Sequence, residues 1–113
     1  MEIRNLDLKY PSCPIRNILS RFSDKWSLLI LVVLQSGLPM RYGELKKNIP
    51  DISQKMLSKT LKNLEKHNLI IRKAYLEIPP KVEYYLSETG KGVLPIIQSM
   101  IDWVESHKDE IFK

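Results

Sequence analysis

A single cysteine, two histidines and four glycines are all that the 113 residues offer to the chemistries that depend on those residue types. One cysteine cannot close an intrachain disulfide, which excludes the stapled secreted scaffolds and fits a reducing compartment. His67 and His107 stand apart with no partners at ligand spacing, so no metal site is expected. There is no glycine-rich phosphate loop, no nucleophile beside a base and no carboxylate pair placed for acid–base work. The chain is therefore not expected to be an enzyme or to need a cofactor. Long apolar runs are missing as well. The longest, Leu28 to Leu34, falls far short of the roughly 20 residues of a membrane span. Met1 to Asn5 carries an acid early and opens no apolar stretch, so no signal peptide is expected and the location reads as cytoplasmic.

What is present is a lopsided charge. The whole chain carries +5. Between Arg41 and Lys81 stand ten basic residues and four acidic ones, so the middle third holds +6 and the remainder sums to −1. A basic centre between near-neutral flanks is the footprint of a face that meets a polyanion. The same lysines would also suit a plain solvated surface. Their placement along the chain has to decide.

At 43% hydrophobic and 27% charged residues, the chain has the composition of one folded domain. Residues 1–12 lack periodicity and read as an arm, residues 13–107 as the domain, and residues 108–113 as a tail. Cys13-Pro14 opens a helix expected to reach about Phe22, because proline suits the first helical turn. Asp24 caps a second helix, Lys25 to Gln35, apolar nearly all round and so expected at the centre of the fold. After an extended link at Pro39-Met40-Arg41, Tyr42 to Asn48 predicts a short helix with Leu45 and Ile49 inward, stopped by Pro50. Ser53 caps the next helix, with Ile52 and Leu57 at the positions of a hydrophobic staple. That helix runs to about His67, turning Leu57, Leu61 and Leu64 inward, and Asn68 closes it in a left-handed conformation. Leu69 to Leu76 and Lys81 to Leu86 read as a hairpin across Glu77-Ile78-Pro79-Pro80. Ser87 then caps a last helix to about His107, kinked early by Pro95.

The fold class is mainly α with a small β-hairpin (α+β). A short helix, a tight turn and an amphipathic helix followed at once by a hairpin is the order of a winged helix-turn-helix. The helix after Ser53 turns its leucines inward and offers Gln54, Lys55, Ser58, Lys59 and Lys62 outward. Lysine neutralises phosphates or reaches guanine acceptors, and Gln54 can pair with adenine. Ser53 and the first free N–H groups would fix a phosphate. Arg41 leads into the short helix. Arg72, Lys73 and Lys81 are expected near the hairpin tip, against the neighbouring backbone or minor groove. Tyr75, Tyr84 and Tyr85 would pack along the hairpin, with Tyr75 within reach of a phosphate, and Trp26 would anchor the core. The expected partner is double-stranded DNA. A winged helix that docks a protein through its basic face is the alternative, and an RNA-binding basic domain a more remote one.

These residues also form a recognisable series. Cys13-Pro14, Lys25-Trp26 before Leu28-Leu29-Ile30-Leu31, Arg41-Tyr42-Gly43-Glu44-Leu45 and Ile52-Ser53-Gln54-Lys55-Met56-Leu57 open it. Leu61-Lys62-Asn63-Leu64-Glu65 and Pro79-Pro80-Lys81-Val82-Glu83-Tyr84 complete it. Over residues 13–104 the chain resembles the HxlR-type winged-helix regulators, cousins of the MarR type. Asp24 and Asn68 depart from that pattern, each standing where glycine is usual. The resemblance implies a homodimeric transcription regulator on a pseudo-palindromic operator, with repression the expected mode, and the first and last helices as the interface. Independently, a lone domain is not expected to bury Ile97, Met100, Ile101, Trp103 and Val104 together. Several members of that family sense oxidants or electrophiles through a cysteine at the Cys-Pro position. Cys13, at a helix N-terminus that favours the thiolate, is the corresponding redox-sensing candidate; the other reading is a small apolar residue that seats the helix.

Overall fold

The computed structural model describes residues 1–9 and 11–112. Tyr10, within the expected arm, and Lys113, within the expected tail, lie outside the described residues. Among the described residues, six helices and one hairpin follow each other as α1 (Pro14–Asn17), α2 (Lys25–Val33), α3 (Tyr42–Asn48), α4 (Gln54–Lys66), β1 (Ile70–Tyr75), β2 (Lys81–Leu86), α5 (Glu88–Lys91) and α6 (Leu94–Ile111). Short 3-10 turns stand at Ile3–Asn5, Leu19–Arg21 and Leu34–Ser36.

The centre is built by α2 to β2. Asp24 caps α2 by accepting from the Ser27 N–H at 3.0 Å and from the Ser27 hydroxyl at 2.7 Å. This allows Ser27 to sit fully buried beside Ile30 and Leu31 without an unpaired polar group. Leu29 reaches the surface, so α2 is buried on one side rather than all round. Gly37 ends the segment at φ 79, a left-handed conformation that glycine adopts without steric cost. Leu45 and Ile49 seal α3 onto this core, and Leu57, Leu61 and Leu64 do the same for α4. Ile52 is buried with Leu57, the staple expected at the start of α4. Asn68 closes α4 at φ 60. Its side chain is short enough to tolerate that region.

The hairpin pairs Ile70 with Leu86 at its base and Tyr75 with Lys81 at its end. The link before α3 joins it: Met40 and Tyr84 exchange backbone hydrogen bonds of 2.8 Å. The wing is thereby tied to the helix that precedes the tight turn.

The first and last helices differ from expectation. The first helix ends at Asn17 and gives way to the 3-10 turn at Leu19–Arg21 instead of running on to Phe22. Ile15, Ile18 and Leu19 are all exposed. With no apolar face buried in the lone chain, packing does not hold this segment in a regular helix. The last helix is two helices. Ser87 caps α5 by accepting from the Gly90 N–H at 2.9 Å, the chain breaks at Gly92 and Val93, and α6 restarts with Pro95 in its first turn. Proline lacks the donor an interior position needs but fits a helix start. Finally, α6 continues to Ile111, so 108–111 are helical where a tail was expected.

Candidate nucleic-acid interface

The surface that decides the chemistry is the outer side of α4. At 100° per residue, Leu57, Thr60, Leu61 and Leu64 gather on one side of this helix, and all four are buried. Lys55, Lys59, Lys62 and Lys66 recur every three or four residues on the opposite side, and all four are exposed. Among the described residues none of these lysines is in an ion pair. A row of unneutralised ammonium groups diametrically opposite a leucine face can approach a polyanion without first breaking internal contacts. Lys66 completes the row and was missed as a site residue; the spacing of the other three already points to it.

The helix start is built around Ser53, whose hydroxyl oxygen accepts from the Met56 N–H at 3.0 Å. Its own O–H remains available to donate outward, beside the free N–H groups of the first turn. Gln54 and Lys55 are exposed there. Ser58 differs from expectation. It is half-buried, and its hydroxyl lies 3.3 Å from the Tyr42 hydroxyl, so it faces α3 rather than projecting freely. The Tyr42 hydroxyl also donates to the Gln54 carbonyl at 2.9 Å. Tyr42 thus braces the first turn of α4 from the preceding helix, a role that no local sequence signal reveals because the partners are twelve and sixteen residues apart. Across the turn, the Lys46 ammonium donates to the Pro50 carbonyl at 2.9 Å. Arg41 is exposed at the N-cap of α3, its backbone N–H donating to Glu44 Oε1 at 3.1 Å.

On the wing, strand alternation separates residues that the sequence reading grouped together. Lys73 and Lys81 share a face, their ammonium groups 5.0 and 4.8 Å from the Tyr75 ring centroid. Tyr75 holds these two cations at the end of the hairpin. Lys81 also lies 3.8 Å from Glu83. Arg72, opposite Tyr84, is on the other face and further from the tip, lining a cleft of about 390 Å³ between wing and α4 with Lys62, Glu65 and Ser58. It is not a tip residue.

The remaining candidates divide between core and surface. Ile97 is buried in the monomer's own core. Its place in a subunit contact is corrected: it packs inward, whereas Met100, Ile101 and Trp103 remain exposed and Val104 half-buried. Cys13 is the N-cap of α1, as expected, but it is buried at 1% exposure. Its helix is only four residues long. Trp26 is half-buried against the core, with the Lys25 ammonium 4.5 Å over its ring. No helix among the described residues is long and apolar enough to cross a membrane.

Comparison with known proteins agrees with this geometry. The model of the HxlR-like helix-turn-helix family matches residues 21–112. The uncharacterized HTH-type transcriptional regulator YdeP of Bacillus subtilis is 39% identical over 118 residues, covering 100% of this chain and 91% of its own. The structure of the redox regulator HypR in its reduced form superposes with a TM-score of 0.77 at 34% identity, over 87% of this chain and 96% of that chain. The reduced form of the transcriptional regulator YodB from B. subtilis gives 0.72 at 38% identity, over 82% and 91%. With a winged helix-turn-helix whose second helix carries its cations outward, this chain belongs to the HxlR-like helix-turn-helix family of transcriptional regulators.

Proposed function

We propose that the protein is a sequence-specific repressor that binds double-stranded DNA as a homodimer on a pseudo-palindromic operator. The observation that carries this reading is the row Lys55, Lys59, Lys62 and Lys66, exposed and opposite the buried leucines of α4. Two copies would set their α4 helices into successive major grooves, about 34 Å apart. Ser53, Gln54 and Lys55 enter first and carry sequence choice, with Ser58 steadying them through Tyr42. Lys59, Lys62, Lys66 and Arg41 supply phosphate contacts, and the wing adds Lys73 and Lys81 at its end and Arg72 nearer α4. The exposed Met100, Ile101 and Trp103 support a subunit contact through α6. Thiol chemistry at Cys13 is the regulatory part of the reading, supported by the likeness to HypR, which is named a redox regulator. Burial of Cys13 requires α1 to open before an electrophile can reach the sulfur.

Footprinting on the DNA flanking the protein's own coding region tests the operator reading. A protected, two-fold symmetric site whose affinity falls steeply with salt is expected. Failure to bind any duplex at low salt would favour the protein-docking alternative. For Cys13, wild type and Cys13→Ser are each assayed with and without electrophile; equal DNA affinity in all four samples removes the thiol from the mechanism.

A further inference from the structure

The Tyr42 hydroxyl has one proton to give and two oxygen partners within reach, the Gln54 carbonyl and the Ser58 hydroxyl. A carbonyl can only accept, so the 2.9 Å contact with Gln54 takes the Tyr42 proton. At the second contact, 3.3 Å to Ser58, the Tyr42 oxygen is left to accept and the Ser58 hydroxyl donates. Ser58 thereby spends its single proton inside the protein. Its oxygen keeps only lone pairs for a partner outside. Tyr42 is half-buried and packed against the core, so its hydroxyl is held in place by packing. Ser58 lies on the ridge of α4 formed by Gln54, Ser58 and Lys62, each four residues from the next. Gln54 and Lys62 are exposed on either side of it. Ser58 is half-buried and borders the open cleft of about 390 Å³ between α4 and the wing.

We infer that Tyr42 is a positioning residue for sequence choice: by accepting the Ser58 proton it makes Ser58 an acceptor-only reader, which selects a base that presents an amino group in the major groove. Adenine offers such a group at N6 and cytosine at N4. Guanine and thymine present only acceptors there, N7 and O6 or O4, and an oxygen with no proton to give cannot pair with them. The selectivity rests on the DNA-binding reading above, whereas the direction of the two hydrogen bonds stands apart from it.

The test selects bound duplexes from a randomised pool and sequences them, for wild type, Ser58→Ala and Tyr42→Phe. The position that Ser58 reads is the one whose preference disappears in Ser58→Ala. In wild type it should hold adenine or cytosine, favoured about three- to tenfold, the worth of one neutral hydrogen bond. Tyr42→Phe keeps the ring in place and frees the Ser58 proton to turn toward a base. It should level the preference at that position and leave the other positions and the salt dependence as in wild type. Replacing the adenine there by purine, or the cytosine by 2-pyrimidinone, removes the amino group. That change should weaken wild type by the same factor and leave Ser58→Ala unaffected. Guanine or thymine at that position in wild type, or no position altered by Ser58→Ala, overturns the inference. So does a Tyr42→Phe chain that loses affinity for all duplexes evenly and keeps its base preferences, the result a merely structural tyrosine would give. The brace is also read without DNA: Tyr42→Phe should move the carbon-13 resonance of the Gln54 carbonyl, and an unmoved resonance overturns it. Wild type that takes no duplex sinks the DNA-binding reading and the base choice together. Wild type that selects a sequence while Ser58 is indifferent sinks the base choice alone.

Discussion

Helices α4 and α6 are both long and amphipathic, yet they spend their apolar faces differently. On α4, Leu57, Leu61 and Leu64 are at most 2% exposed, and the polar side is all that the helix shows. On α6 only Ile97 is buried; Met100, Ile101 and Trp103 are 59%, 45% and 57% exposed. Trp103 stacks on His107 at 4.6 Å between ring centroids. The first helix is finished within the monomer. The second leaves Met100, Ile101 and Trp103 exposed, the kind of surface a subunit contact would use.

That difference can be broken from either side. Leu61→Ala, which empties a core position, should cost about 2–5 kcal/mol of unfolding free energy in urea denaturation. The paired change Ile101→Lys with Trp103→Lys should shift sedimentation from dimer to monomer and leave a cooperative unfolding whose urea midpoint no longer depends on protein concentration. If both half-sites are needed, DNA affinity should then fall on the order of 100-fold as bivalency is lost. A large loss of monomer stability in the paired variant would instead show that α6 packs inward. Ser53→Ala removes the oxygen that accepts from Met56 and should cost about 1 kcal/mol of stability, read from the same denaturation curves. The smallest change sharpens the polar side: Lys62→Ala should leave folding intact and make the slope of log affinity against log salt shallower by about 0.9.

The α4 side of this comparison was legible before any coordinates. Ser53, the staple of Ile52 and Leu57, the leucine spacing and Asn68 are all local signals, and each appears in the structure where its chemistry placed it. The α6 side was harder. Its apolar residues cover more than one stripe, so periodicity alone cannot say which of them, Ile97 in this case, turns inward. Arg72 and Ser58 were misplaced for a related reason. The first depended on which face of the hairpin meets α4, and the second on Tyr42 arriving from another helix.

The amino-acid sequence by itself determined the order of elements, their caps and the separation of leucine from lysine on α4, because these follow from contacts within a turn or two of chain. Tertiary structure decided the rest: the tie between Met40 and Tyr84, the brace from Tyr42 to Gln54, and the contact of Tyr42 with Ser58. Each of these joins residues distant along the chain, and only the packing of the shared core brings them within bonding reach.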